Sequence, residues 1–155
     1  VVLPFATEES APQSMVVEAP SQQQPAPSRI LIIDDEPLLG QTLLYAFKGR
    51  HEVCICTSGR EALNRLQTDS SFDLVLCDLM MPDVNGAVVY NAVKSDYPEL
   101  AERFVFMTGG AFTARAREFL SQHPGAQLEK PFNIADIERL LGQFAAAAAA
   151  APTSR

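Results

Sequence analysis

Cysteine is scarce in this chain. There are three, Cys54, Cys56 and Cys77, and each lies inside an apolar run. Their number is odd and they do not form spaced pairs around a loop, which argues against a zinc site. They read as small buried hydrophobes of a reducing, cytoplasmic compartment. Basic residues are also few, 12 Lys and Arg against 19 Asp and Glu, for a formal net charge of -7. Phosphate contacts need Lys and Arg, so the balance argues against direct nucleic-acid binding through the general surface. No apolar stretch reaches the roughly 18 residues of a membrane span, so no membrane contact is expected of this domain. The N-terminus has neither the basic start nor the apolar middle of a signal peptide, and it lacks an initiator Met, as a fragment or trimmed product would. Internal repeats are absent. His51 starts a strand and His123 sits in a loop before Pro124. With no ligand-spaced partner, both read as solvated surface residues.

What remains is enough for one compact domain with tails: 155 residues, 47% of them hydrophobic. Residues 1–28 scatter Pro4, Pro12, Pro20, Pro25 and Pro27 among Ser, Gln, Glu and Ala. Prolines remove backbone donors, and this stretch reads as a linker. Order is expected from Arg29 to Phe144, with an Ala-rich tail over 145–155 whose alanines can prolong the last helix.

The ordered part alternates between two kinds of segment. Ile30-Leu31-Ile32-Ile33 is an apolar run that stops at Asp34-Asp35, as a strand buried on both faces would. Further strands are predicted over Val53–Cys56, Phe72–Cys77, Phe104–Met107 and Gln127–Leu128. Helices follow each of them. Pro37 suits the first turn of one with Leu39, Leu43 and Ala46 on a single face. Another covers Glu61–Leu66, and a third opens at Gly86 with Val88, Val89, Ala92 and Val93 on its buried side. A fourth covers Thr113–Leu120. The last follows an Asn133 cap and carries Ile134, Ile137, Leu141 and Phe144. Five strands alternating with five helices imply an α/β domain, a parallel sheet covered on both faces.

In such a sheet, ligands bind beyond the carboxyl ends of the strands. The polar residues fall there. The first strand ends in Asp34 and Asp35, the third in Asp78, the fourth in Thr108 and the fifth at Lys130. Alone, each has a plain explanation as a cap or a surface residue; together they converge on one edge. Three clustered carboxylates repel one another, and a hard divalent cation relieves that. Mg2+ prefers oxygen ligands and often shares its shell with phosphate, so two direct carboxylates, a backbone carbonyl and a water-mediated carboxylate suit it. Lys130 offers a mobile point charge and Thr108 a hydroxyl for phosphate oxygens. Asp78 is the natural nucleophile of a phosphoryl transfer run by positioning and electrostatics.

The sequence closely resembles the receiver domains of two-component signalling. Ile32-Ile33-Asp34-Asp35-Glu36-Pro37, Leu76-Cys77-Asp78-Leu79-Met80-Met81-Pro82-Asp83 with Gly86, Phe106-Met107-Thr108-Gly109-Gly110 and Lys130-Pro131-Phe132 carry the match, over roughly residues 29–144. The resemblance implies a flavodoxin-like, doubly wound sheet of order 2-1-3-4-5. It implies that Asp78 takes a phosphoryl group from a phosphohistidine on a histidine kinase dimerisation/phosphotransfer domain or a histidine phosphotransfer protein. Asp35 and Asp78 would bind Mg2+ directly with the Met80 carbonyl, Asp34 mainly through a water, and Thr108 and Lys130 would grip the acyl phosphate. The Lys130-Pro131 peptide would be cis. Such a domain catalyses only its own phosphorylation and dephosphorylation.

One position departs from the pattern. Many receivers carry an aromatic residue three places before the lysine; here it is Gln127. That disfavours the aromatic-switch output and favours passing or draining phosphate. Val1-Val2-Leu3-Pro4 resembles the closing strand of a histidine kinase ATP-binding domain, and with the proline-rich linker it suggests the C-terminal receiver of a hybrid sensor kinase. The alternatives are a stand-alone regulator or phosphate sink, a pure interaction module, and an aspartyl-phosphate hydrolase. The last would want an Asp-x-Asp pattern on the first strand and a cap insertion, and neither is present.

Overall fold

The computed structural model describes residues 26–110 and 113–150. The expectations for Val1–Pro4 and for the proline-rich stretch up to residue 25 lie outside them. In chain order the elements are β1 (Arg29–Ile33), α1 (Pro37–Ala46), β2 (Glu52–Cys56), α2 (Gly59–Thr68), β3 (Leu74–Asp78), α3 (Gly86–Asp96), α4 (Pro98–Ala101), β4 (Phe104–Thr108), α5 (Ala114–Gln122), β5 (Gln127–Glu129) and α6 (Ile134–Ala150). The five strands are all parallel, in the order β2-β1-β3-β4-β5. This is the flavodoxin-like arrangement. The sixth helical segment is the single turn α4, started by Pro98 where the chain turns back from α3 towards β4.

Strand alternation builds two cores, one on each face. Ile30, Ile32, Leu74, Leu76, Val105 and Met107 pack with Leu43 of α1, with Phe47 just after it and with Ile137 and Leu141 of α6. Leu31, Ile33, Val75, Cys77, Phe104 and Phe106 face the other way, onto Ala62 and Leu66 of α2, Val89 and Val93 of α3, and Ala116 and Leu120 of α5. The four apolar side chains of β1 are fully buried, and each contributes about 2 kcal/mol of transfer free energy. That double burial is why β1 reads as an uninterrupted apolar run.

Local signals set where the helices begin. Asn133 and Asp136 exchange hydrogen bonds, Asp136 N to Asn133 Oδ1 at 3.1 Å and Asn133 N to Asp136 Oδ2 at 3.0 Å, so the expected cap is a reciprocal box. Ser58, Asn85 and Thr113 cap α2, α3 and α5 with side-chain oxygens. The alanines do prolong the last helix, to Ala150.

Three readings need correction. Phe72 precedes β3; it is buried in the loop under the Arg29 guanidinium, 4.9 Å from its ring centre. Val88 is 49% exposed, because Gly86, Val89 and Val93 form the buried face of α3 and Val88 points off it into a side cleft. The histidines are part-buried and partnered, not free surface side chains. His51 Nδ1 accepts the Ser28 N–H at 3.1 Å, while His123 stacks on Phe119 and its Nδ1 lies 2.9 Å from the Phe119 carbonyl. Among the described residues, no helix is long and apolar enough to cross a membrane.

Candidate functional site

The chain leaves β1 for β2 on one side and returns to β3 on the other, so the strand order reverses at β1. A crevice opens beyond the carboxyl ends of β1 and β3, and the predicted residues meet there. Asp34 and Asp35 follow β1, and Asp78 is the last residue of β3. Each of the three offers a carboxylate oxygen within 4.8 Å of the others.

Asp34 is almost fully buried and uses both oxygens: Oδ1 accepts the Glu36 N–H at 2.8 Å, and Oδ2 binds Lys130 Nζ at 2.6 Å. Asp35 is exposed at the rim. Asp78 lies between, half-buried, with Oδ1 accepting the Met80 N–H at 3.1 Å and Oδ2 3.5 Å from Lys130 Nζ. Burial pushes the Asp78 carboxyl above its ordinary range. The Met80 N–H and the Lys130 charge oppose that push, and Asp34 and Asp35 add to it. For Lys130, burial works against the charge, but the Asp34 hydrogen bond and the Asp78 charge outweigh it and hold the ammonium above its usual value.

The far wall comes from β4 and β5. Thr108 ends β4 and is buried, and its carbonyl accepts the Lys130 N–H at 2.6 Å, which ties hydroxyl and ammonium into one frame. The Lys130–Pro131 peptide is cis, as the resemblance implied. Gly109 is open, and a Cβ there would sit 3.0 Å from Lys130 Cβ. Gln127 is exposed on β5, paired with Phe106. The cysteines stay out of the chemistry. Burial raises the Cys77 thiol well above its ordinary value and pushes Cys56 up to about 11.

Gly86 and Phe132 belong to the motifs read from sequence, but their contacts, and the place of Leu38 and Thr42, were not read there. A Cβ on Gly86 would come 2.5 Å from the Asp78 carbonyl oxygen and 2.9 Å from Leu79 Cα. The start of α3 thus packs directly on the backbone that carries Asp78. Leu38, Thr42 and Phe132 help to line an open groove of about 720 Å3 running from Asp78 past Lys130. Leu38 is 68% exposed, and its place off the Leu39–Leu43 stripe was the available signal.

The donor set suits a hard divalent cation: three carboxylates, with no thiol or imidazole in the acidic group. The profile of the response regulator receiver domain matches residues 30–141. The chain belongs to the response regulator receiver family. Receiver domains of two-component systems bind Mg2+ in an acidic pocket and interact with histidine kinases or phosphotransfer proteins, and this receiver has the acidic cluster.

Among curated relatives, the receiver is 29% identical over 110 residues to the response regulator receiver protein CpdR of Brucella abortus, covering 70% of this chain and 89% of that protein. It is 26% identical over 110 residues to the sensor kinase CckA of the same organism, covering 70% of this chain and 11% of the kinase. The chain spans about half the length, or less, of several curated relatives that it matches. A solved response regulator receiver domain protein from Clostridium thermocellum superposes with a TM-score of 0.67 at 25% identity, over 79% of this chain and 97% of that one.

Proposed function

We propose that Asp78 is the phosphoacceptor of this receiver and that its donor is a phosphohistidine on a histidine kinase or histidine phosphotransfer protein. One observation carries the reading. Asp78 stands at the carboxyl end of β3 with two further carboxylates within 4.8 Å and an ammonium 3.5 Å from Oδ2. An ordinary strand-end aspartate has no reason to gather such company.

In the transfer, an Asp78 oxygen attacks phosphorus. A P–O bond forms as the P–N bond breaks, and the imidazole leaves with the electron pair. Asp35, Asp78 and the Met80 carbonyl would hold Mg2+, with Asp34 acting through a metal-bound water. The bound cation supplies positive charge against the phosphoryl oxygens. The Met80 N–H orients Asp78. Lys130 moves from Asp34 onto a phosphoryl oxygen, and the Thr108 hydroxyl donates to another. Gly109 leaves the acceptor open to the donor imidazole and, later, to water.

Incubation with Mg2+ and acetyl phosphate is expected to add one hydroxylamine-labile phosphoryl group, and EDTA to prevent it. An unchanged yield in Asp78→Asn would falsify the assignment. Multiple turnover of small phosphate esters would revive the hydrolase reading.

The wider setting we infer is a relay carried by a hybrid sensor kinase in the cytoplasm. The exposed Gln127 in place of an aromatic residue, the free thiols and the similarity to CckA support it. The similarity to CpdR, matched over most of that protein's length, favours a stand-alone regulator or phosphate sink instead. The sequence preceding Val1 in the intact gene decides between them: an ATP-binding kinase domain supports the first, and an unrelated domain overturns it.

A further inference from the structure

Far from the acidic pocket, at the amino end of the sheet, a histidine joins the segment that enters the domain to the body of the fold. His51 lies between α1 and β2. Its ring packs edge-on against Phe47, with centroids 5.4 Å apart. Its Nδ1 lies 3.1 Å from the backbone nitrogen of Ser28. A backbone N–H can only donate, so this ring nitrogen is the acceptor and the imidazole is neutral, with its proton on Nε2. Ser28 O in turn accepts the Glu52 N–H at 2.9 Å. One residue on, Arg29 N donates to Asp73 Oδ2 at 2.8 Å, and Asp73 N donates to the Arg29 carbonyl at 2.8 Å.

These bonds differ in what they need. Those of Arg29, Asp73 and Glu52 do not depend on the imidazole. The Ser28 N–H bond exists only while Nδ1 carries a lone pair. The same place borders a recess of about 300 Å3 between Ala26, Pro27, His51, Glu138 and Leu141, so the Pro27–Ser28 peptide has room to turn. The charged groups facing His51 come from three elements: Arg50 beside it, Glu138 of α6, which is ion-paired with Arg50, and Asp73 before β3.

We propose that His51 is a proton-operated latch: neutral, it clamps the Pro27–Ser28 peptide against the domain, and protonation at Nδ1 releases that peptide as a hinge while β1 stays in place. The step balances simply. One solvent proton joins the Nδ1 lone pair, and the Ser28 N–H turns to water. Burial holds the imidazole below its ordinary value, and Arg50 adds to that; Glu138 and Asp73 oppose it and receive the new charge. Folded-state depression means that the latch contribution is present above the unfolded value of about 6.5 and is lost as pH falls through the folded value. The consequence is directional. Acidification loosens whatever precedes Ser28 from the receiver without touching the acceptor site.

The test is amide exchange on the whole chain. Ser28 is expected to show a protection factor at pH 7.5 that falls about tenfold or more by pH 5, while Leu31 and Leu76 stay protected. The 15N shifts of His51 should report the Nε2–H tautomer. Asn presents an oxygen near the Nδ1 position, so His51→Asn should keep Ser28 protected and remove its pH dependence; His51→Ala should lose protection at both pH values. A Ser28 protection factor unchanged between pH 7.5 and 5 in the wild type, an Nδ1–H tautomer, or a pH dependence that persists in His51→Asn each overturns the latch.

Discussion

Lys130 Nζ lies 2.6 Å from Asp34 Oδ2, closer than the 3.5 Å that separates it from Asp78 Oδ2. The pocket therefore rests with its ammonium on Asp34, the buried neighbour of Asp78. Asp34 is held in place by that ion pair and by the Glu36 N–H. In the proposed transfer, a phosphoryl group on Asp78 would have to draw the cation across.

Truncating Lys130 exposes this dependence. Lys130→Ala leaves Asp34 buried beside two other acids, and the expected cost is about 2 kcal/mol of unfolding free energy at neutral pH without divalent cations. Urea titrations with and without Mg2+ measure it. Mg2+ should recover part of the loss, because it relieves the same repulsion. Labelling by acetyl phosphate should fall sharply in both cases.

Asp78→Asn should stabilise the apo domain. The folded-state value of Asp78 is raised by burial, so the folded protein binds its proton more tightly than the unfolded chain does. Ionisation then costs stability as pH rises from the unfolded value towards the folded one, and the cost persists at pH 7. Removing the charge should raise the Tm by roughly 4 °C in EDTA. Mg2+ should raise the wild-type Tm and leave the variant nearly unmoved.

Gly86 and Gly142 should answer oppositely to alanine. At Gly86 a Cβ meets the Asp78 carbonyl oxygen at 2.5 Å, so Gly86→Ala has to push α3 off the acceptor strand. The expected cost is about 2 kcal/mol, with a slower labelling rate. At Gly142, inside α6, a Cβ meets nothing within 4 Å, and Gly142→Ala should add about 0.5–1 kcal/mol through helix propensity. Thermal melts of both variants check the pair.

The far end of the sheet has its own pH signature. Arg29 donates to Asp69 at 2.8 and 3.2 Å and to Glu52 at 3.0 Å. That guanidinium, with the Ser71 hydroxyl and N–H, holds the Asp69 carboxyl well below the usual carboxylate range. A depressed acid stabilises the fold above its unfolded value of about 4 and loses that contribution as pH falls through the folded one. Asp69→Asn should therefore unfold at lower urea than wild type at pH 7, and the gap between the two midpoints should narrow as the pH falls below the unfolded value of about 4.

The sheet was legible because its strands are short apolar runs ending in polar residues. Ile30–Ile33 is buried on both faces and shows no alternation, which marked it as a central strand. The acids, the hydroxyl and the lysine stood at strand ends, and a parallel sheet brings its strand ends together. Val88 was misplaced because a run of Ala87-Val88-Val89 does not show which residue lies on the buried arc; the packing of Gly86 and Val89 decides it. The histidines were misread because their partners are backbone groups, Ser28 N–H and the Phe119 carbonyl, which carry no letter in a sequence.

Sequence alone determined the fold class, the family and the set of residues at the acidic edge, since each rests on residue type and order along the chain. Only the tertiary structure decided that Lys130 rests on Asp34, that α3 packs on the Asp78 carbonyl, and that His51 holds the Ser28 amide. Those are distances between groups that no local pattern pairs, in one case 96 residues apart. They are set by how the strands and helices pack, which no local pattern records.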